Sequence, residues 1–313
     1  MDRSLNSKKT VGDVQLETAC ENYSERLLAL SLIKQISHLC RAIQRHRGLG
    51  MSLIAGYEEF ADEFHALQRQ VSRRMRALQE FSRQANKLIS DQELEKLDAS
   101  WNVINRDWQG DSVMENFEYH SHFIEQLLQL MMVLARHLER PVAVLFSEVD
   151  SRDGKITKLE PRKQMFSQVG LLVFVCNQLP SLVEHIAKIR GLSTLAASRR
   201  KQDELESSKL RYFIQGTRVQ YEKVRTQGNR LLEVTGNKIQ SLPLIKAYEF
   251  KLMFLLTTVE REVLDPKVIT MDSRQLFDLA TEIIDVYLKV VDEGLSLLMS
   301  WQEESLESWF KAE

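Results

Sequence analysis

Apolar residues return every three to four positions along most of the chain. Leu28, Leu32, Ile36, Leu39 and Ile43 form one such stripe, and Val113, Phe117, Ile124, Leu127, Leu128, Met131 and Leu134 form a second. Phe277, Ile284, Leu288, Val291, Leu295 and Leu298 form a third. That spacing is the face of an α-helix turned to a core. The closest approach to strand-like alternation is Pro141 to Phe146, too short to build a sheet. Glu148 to Pro161 breaks the helical pattern: it is charged, contains Asp153-Gly154 and ends in proline, so it marks the main boundary. Thr235-Gly236-Asn237 and Asp265-Pro266 to Asp272 read as further loops.

The two sides of that boundary read as copies. QRHRGLG (44–50) and AKIRGLS (187–193) align Arg47 with Arg190, Gly48 with Gly191 and Leu49 with Leu192. Upstream, Leu32, Leu39 and Ile43 meet Val175, Leu182 and Ile186. Downstream, Phe117, Ser121, Ile124 and Leu128 meet Phe277, Thr281, Ile284 and Leu288. Apolar helices align by chance; an Arg-Gly-Leu in register with them does so less easily. Each copy reads as an opening helix that ends near the Arg-Gly, two middle helices and a closing helix. The expected fold is all-α, two four-helix bundles formed by an internal repeat. The expected organisation is a flexible tail over 1–21, a first bundle over 22–147, a linker over 148–163, a second bundle over 164–300 and a C-terminal tail over 301–313. Pro180 either starts the second opening helix or kinks it.

Composition narrows the class without changing it. The 313 residues carry only 12 glycines and 5 prolines, too few for turn-rich sandwiches, propellers or doubly wound sheets. With 43% hydrophobic and 27% charged residues, wholesale disorder is excluded. The formal charge of −2 gives no basic surplus, and Arg73-Arg74 and Arg199-Arg200-Lys201 read as solvated helix faces, so no direct nucleic-acid binding is expected. Three cysteines, Cys20, Cys40 and Cys176, are odd in number and outside metal-ligand spacing, which suits a reducing compartment. The N-terminal segment has no apolar core, and the runs Leu127–Ala135 and Val169–Val175 are short of the ~20 residues a membrane span needs. A cytoplasmic protein without a membrane segment is expected.

The candidate chemistry lies in the paired Arg-Gly elements. Arginine keeps its charge and offers a planar fork of donors, while a neighbouring glycine lets a ligand or helix approach the backbone. If the bundles pack with pseudo-two-fold symmetry, Arg47 and Arg190 converge. Two partly buried guanidinium groups repel, and a small planar oxyanion between them relieves the repulsion and accepts hydrogen bonds from both forks. The expected ligand residues are Arg47, Arg190, Gly48 and Gly191. Arg45 joins only if the helix distorts, because two positions along a helix turn it to another face. His46 and Lys188 are weaker candidates. A metal centre fits poorly: His120-x-His122 lies on diverging faces, and Asp62-x-x-His65 has no second copy. No Gly-rich phosphate loop, nucleophile elbow or cysteine nucleophile with a matching histidine motif is present, so an enzyme is not expected.

At these residues the chain resembles the nitrate- and nitrite-sensing (NIT) domain family. QRHRGLG, LVEHIAKIRGLSTLAAS, NFEYHSHFIEQLLQL and LFDLATEIIDVYLKV carry the resemblance, over roughly residues 25 to 300. Members of that family often have glutamate before the motif arginine, where this chain has His46 and Ile189. The resemblance implies two four-helix bundles, Arg47 and Arg190 as nitrate or nitrite ligands, no cofactor, and output through another module. As only WQEESLESWFKAE follows the closing helix, the output is expected from a protein partner. Trp301, Trp309 and Phe310 could dock it or pack back on their own bundle, and a homodimer is open. The competing readings are a helical adaptor or scaffold that senses no ion, and a detached chemoreceptor-like domain for an organic anion.

Overall fold

The computed structural model describes residues 11–84, 88–106, 108–139, 168–201, 203–265 and 269–310. The described residues are helical, with no strand among them. We number the helices α1 (Val11–Ile54), α2 (Ala61–Gln84), α3 (Asp91–Arg106), α4 (Val113–Ala135), α5 (Gln168–Arg199), α6 (Glu204–Thr235), α7 (Leu244–Ala247), α8 (Glu249–Val259) and α9 (Ser273–Phe310). In the front half α1 packs along α4 and α2, and α3 packs on α4. In the back half α5 packs along α9 and α6, and α8 packs on α9. The halves meet where α1 contacts α5 and α9. We call this the seam.

Local chemistry sets several boundaries. Ser112 caps α4 by accepting from the Glu115 amide while Glu115 reaches back to the Ser112 amide. Asp203 caps α6 through the Glu206 amide, and α6 stops at Gly236, whose φ of 56° needs no Cβ penalty. Pro180 lies inside α5, just past a π turn over Phe174–Gln178. Proline has no N–H and its ring crowds the carbonyl four residues back, so the local change of hydrogen-bond register accommodates it within a continuing helix.

The apolar stripes bury Leu32, Ile36, Leu39 and Ile43 from α1, Leu127 and Met131 from α4, Leu182 and Ile186 from α5 and Leu295 from α9 in one continuous core that crosses the seam. The crossing of α9 over α5 is tight. A Cβ at Gly294 would stand 2.5 Å from Val175 Cγ1, so only a hydrogen fits there. Among the described residues α5 is the one helix long and apolar enough to cross a membrane, and 61% of its apolar window is buried by its own chain.

Four expectations change. The Arg-Gly elements do not end their helices: α1 runs on to Ile54 and α5 to Arg199, because packing outweighs the ~1 kcal/mol that a mid-helix glycine costs. Helix α1 begins at Val11, within the segment read as a tail. Helix α9 runs to Phe310, through most of the segment read as a C-terminal tail, and Trp301 packs on the core. Phe277, the first position of the third apolar stripe, is 37% exposed rather than in the core. The linker over 148–163 and the segment Pro141–Phe146 lie outside the described residues.

Candidate functional site

Arg47 on α1 is 1% exposed, and its guanidinium crosses the seam. Nη1 donates to Glu184 Oε1 at 2.5 Å and Nη2 to Glu184 Oε2 at 3.3 Å, a fork-to-carboxylate pair between α1 and α5. Glu184 is itself 3% exposed. Its Oε2 also accepts from Gln44 Nε2 at 2.9 Å, and Lys188 Nζ stands 3.8 Å from its Oε1. Lys188 bonds outward to Glu125 of α4 at 3.1 Å. One buried carboxylate is therefore shared by an amide, a guanidinium and an ammonium.

Each arginine sits in the same cage. Arg47 donates to Ser121 Oγ at 3.0 Å and lies over the Phe117 ring, 5.2 Å from its centroid. Arg190 donates to Thr281 Oγ1 at 2.9 Å and lies over the Phe277 ring at 5.0 Å. The residues that align between the halves in the sequence thus make the same contacts: a guanidinium on the opening helix, held by an aromatic face and a hydroxyl one turn apart on the closing helix.

The cages differ in charge. Among the described residues no carboxylate oxygen lies within 4 Å of Arg190, which is half-buried. Burial first, and then the charge of Arg47, hold Arg190 down to about 10, with Asp285 and Glu184 opposing in part. Arginine still carries its charge at that value. The positive charge on Arg190 is partly desolvated and, among the described residues, has no direct counter-ion. A cavity of about 10 Å³ in the seam, room for about one water, is lined by Ser37, Cys40, Arg41 and Gln44 of α1 and by Pro180 and Val183 of α5 among others, and by neither Arg47 nor Arg190.

The remaining candidates divide. Arg45 is exposed and bonded to Glu63, outside the cluster. Gly48 faces open space, and a Cβ at Gly191 would stand 3.5 Å from Met51 Sδ, an ordinary contact, so space at neither position requires a glycine. Lys188 joins the cluster. His46 points away from it, into the front half, where its Nδ1 lies 2.8 Å from His120 Nε2. His120 Nδ1 lies 2.7 Å from the Asn116 carbonyl and must donate to it. His120 Nε2 therefore accepts, His46 Nδ1 donates, and His46 Nε2 is left a buried lone pair without a partner. Burial holds His46 down to about 3 and His120 well below its ordinary value, so both are neutral. His122 is exposed and bonded to Gln126, facing away from His120. Among the described residues no group of three or more His, Cys, Asp or Glu is placed to hold a metal. Arg73 is exposed, and with Arg69 and Arg76 it lines a polar groove with Gln68, Ser72 and Asn105.

Glu184 and Gln44 escaped the sequence reading. The available signal was position: Glu184 falls between Val183 and Ile186 on a helix whose neighbours are buried, where a carboxylate requires a partner. Compared with known proteins, the chain matches no family model, and neither a curated protein nor a solved structure is detectably similar to it.

Proposed function

We propose that the chain is a cytoplasmic, non-enzymatic sensor that binds a small planar oxyanion, nitrate or nitrite, between Arg190 and Arg47. In this reading α1–α4 and α5, α6, α8 and α9 are two four-helix bundles related by duplication, and a protein partner reads their relative shift. The observation that carries the reading is Arg190: a half-buried guanidinium in a cage that matches that of Arg47, with one hydroxyl partner and, among the described residues, no carboxylate within 4 Å. An anion matches that charge and takes the donors Thr281 leaves unused. Nitrate has four non-hydrogen atoms, so a ceiling of about 1.5 kcal/mol per atom limits its affinity to about 40 µM at best.

The test is a thermal-shift panel with nitrate, nitrite, chloride, sulfate and acetate. At a hundredfold excess over Kd a ligand adds about 2.7 kcal/mol of stability. Nitrate or nitrite should raise the melting temperature of the parent protein by several degrees and leave Arg190→Ala unmoved. Equal shifts in both proteins would argue against the site. A larger shift with acetate would favour the organic-anion reading.

The adaptor reading draws on α8, where Phe250 and Phe254 share one helix face and are 84% and 60% exposed. It expects an anion panel without effect on the parent protein.

A further inference from the structure

Glu184 occupies the place on Arg47 where an incoming oxyanion would bind. Its two oxygens take both terminal nitrogens of the fork, at 2.5 and 3.3 Å, in the plane-to-plane manner of a nitrate ion. The carboxylate comes from α5 and the guanidinium from α1, so this contact is also a charged lock across the seam. A second donor for the carboxylate is already in place: Lys188 is one turn along α5 from Glu184, 3.8 Å away and 6% exposed. Arg47, Lys188 and Arg190 bring three positive charges to the cluster. Against them stand Glu184, Glu125 with 55% of its side chain in solvent, and Asp285, whose charge acts on Arg190. Removing Glu184 from Arg47 leaves a buried fork without its anion, which an oxyanion would pair.

Resting on the proposed anion site, we propose that Glu184 is a built-in competitor of the ligand. It holds Arg47 in the free protein, yields the fork to the oxyanion, and passes to Lys188. Binding is then an exchange of ion pairs. No proton moves and the number of buried charge contacts is kept, while the α1–α5 lock opens in the same step. That supplies what a sensor needs, a ligand with different affinity for the locked and unlocked arrangements. The exchange also sets specificity. A monoanion with two coplanar oxygens can replace a carboxylate on the fork, whereas chloride offers a single point.

The experiment is a calorimetric titration of the full chain with sodium nitrate and sodium nitrite, using the parent protein, Glu184→Gln and Lys188→Met. The glutamine keeps the shape and one acceptor but gives up the charge. Ionic hydrogen bonds are about twice as strong as neutral ones, so Glu184→Gln should bind the anion about tenfold tighter. Lys188→Met should bind it several-fold more weakly, since the displaced carboxylate loses its cationic donor. Binding by the parent with unchanged or weaker affinity in Glu184→Gln would overturn the competitor role and leave the anion site standing. Binding by Glu184→Gln but not by the parent would support the competitor role and count against sensing by the native chain. No binding by either protein would overturn both. Should Glu184→Gln fail to fold, Lys188→Met decides alone, and parent-like affinity in it would overturn the exchange.

Discussion

The guanidinium of Arg190 lies 5.0 Å from the centroid of the Phe277 ring, and that of Arg47 lies 5.2 Å from the Phe117 ring in the other half. A serine or threonine hydroxyl one helical turn on completes each cage. The two cages share their contacts and differ in burial and charge compensation. Arg47 is paired with an internal carboxylate, and among the described residues Arg190 has none within 4 Å. Substituting Arg190 should therefore cost function more than stability. Arg190→Ala loses one hydroxyl bond and an aromatic contact, together about 1–2 kcal/mol, partly regained by relieving a desolvated charge. A urea melt should place it within that range of the parent, while nitrate or nitrite affinity falls at least tenfold.

Arg47→Ala should behave in the opposite way. It leaves the buried Glu184 to Gln44 and to Lys188 at 3.8 Å, without its bidentate partner, and removing one partner of a buried pair costs about 3–5 kcal/mol. Replacing both partners, Arg47→Met with Glu184→Leu, should recover most of that loss. Urea unfolding of the two singles and the double measures the coupling directly. Additive losses would mean that the pair is not formed in solution.

The parts of the arginine cages were visible in the sequence only as aligned positions. Arg47 and Arg190 match at an offset of 143, Phe117 with Phe277 and Ser121 with Thr281 at 160, and nothing in the sequence paired the arginines with the closing-helix residues. Glu184 was not legible as a ligand of Arg47. On a helix a carboxylate between apolar residues reads the same whether it faces solvent or a neighbouring helix, and the choice is made by packing across the seam. Helix ends were misplaced for a related reason: local propensity places a stop at Arg-Gly, while the buried residues beyond it, Met51 and Leu192, carry both helices on.

Gly294→Ala should destabilise the protein although alanine favours helix by ~1 kcal/mol. The new methyl meets Val175 Cγ1 at 2.5 Å, inside contact distance, and overpacking costs about 1–3 kcal/mol. Adding Val175→Ala opens the space, so the double variant should be more stable than the sum of the single losses. Denaturant midpoints for the set decide it.

Acid should unfold the front half through His46 and His120. Both are held below their ordinary 6.5, His46 to about 3, so the unfolded chain binds protons that the folded one refuses. Stability is then lost as pH falls below 6.5 towards 3, by up to ~1.4 kcal/mol per pH unit for each histidine. His46→Phe keeps the ring contacts with Phe64 and Trp101 and should flatten the pH dependence of the denaturant midpoint between pH 6 and pH 4. An unchanged slope would place the responsible protons elsewhere.

The most direct measurement is the heat of nitrate and nitrite titrated into the intact parent chain beside Arg190→Ala. A saturable signal with Kd of about 40 µM or weaker in the parent, lost or weakened at least tenfold in the variant, is the result expected. No signal from the parent, or equal signals from both proteins, would contradict an oxyanion held between the two arginines.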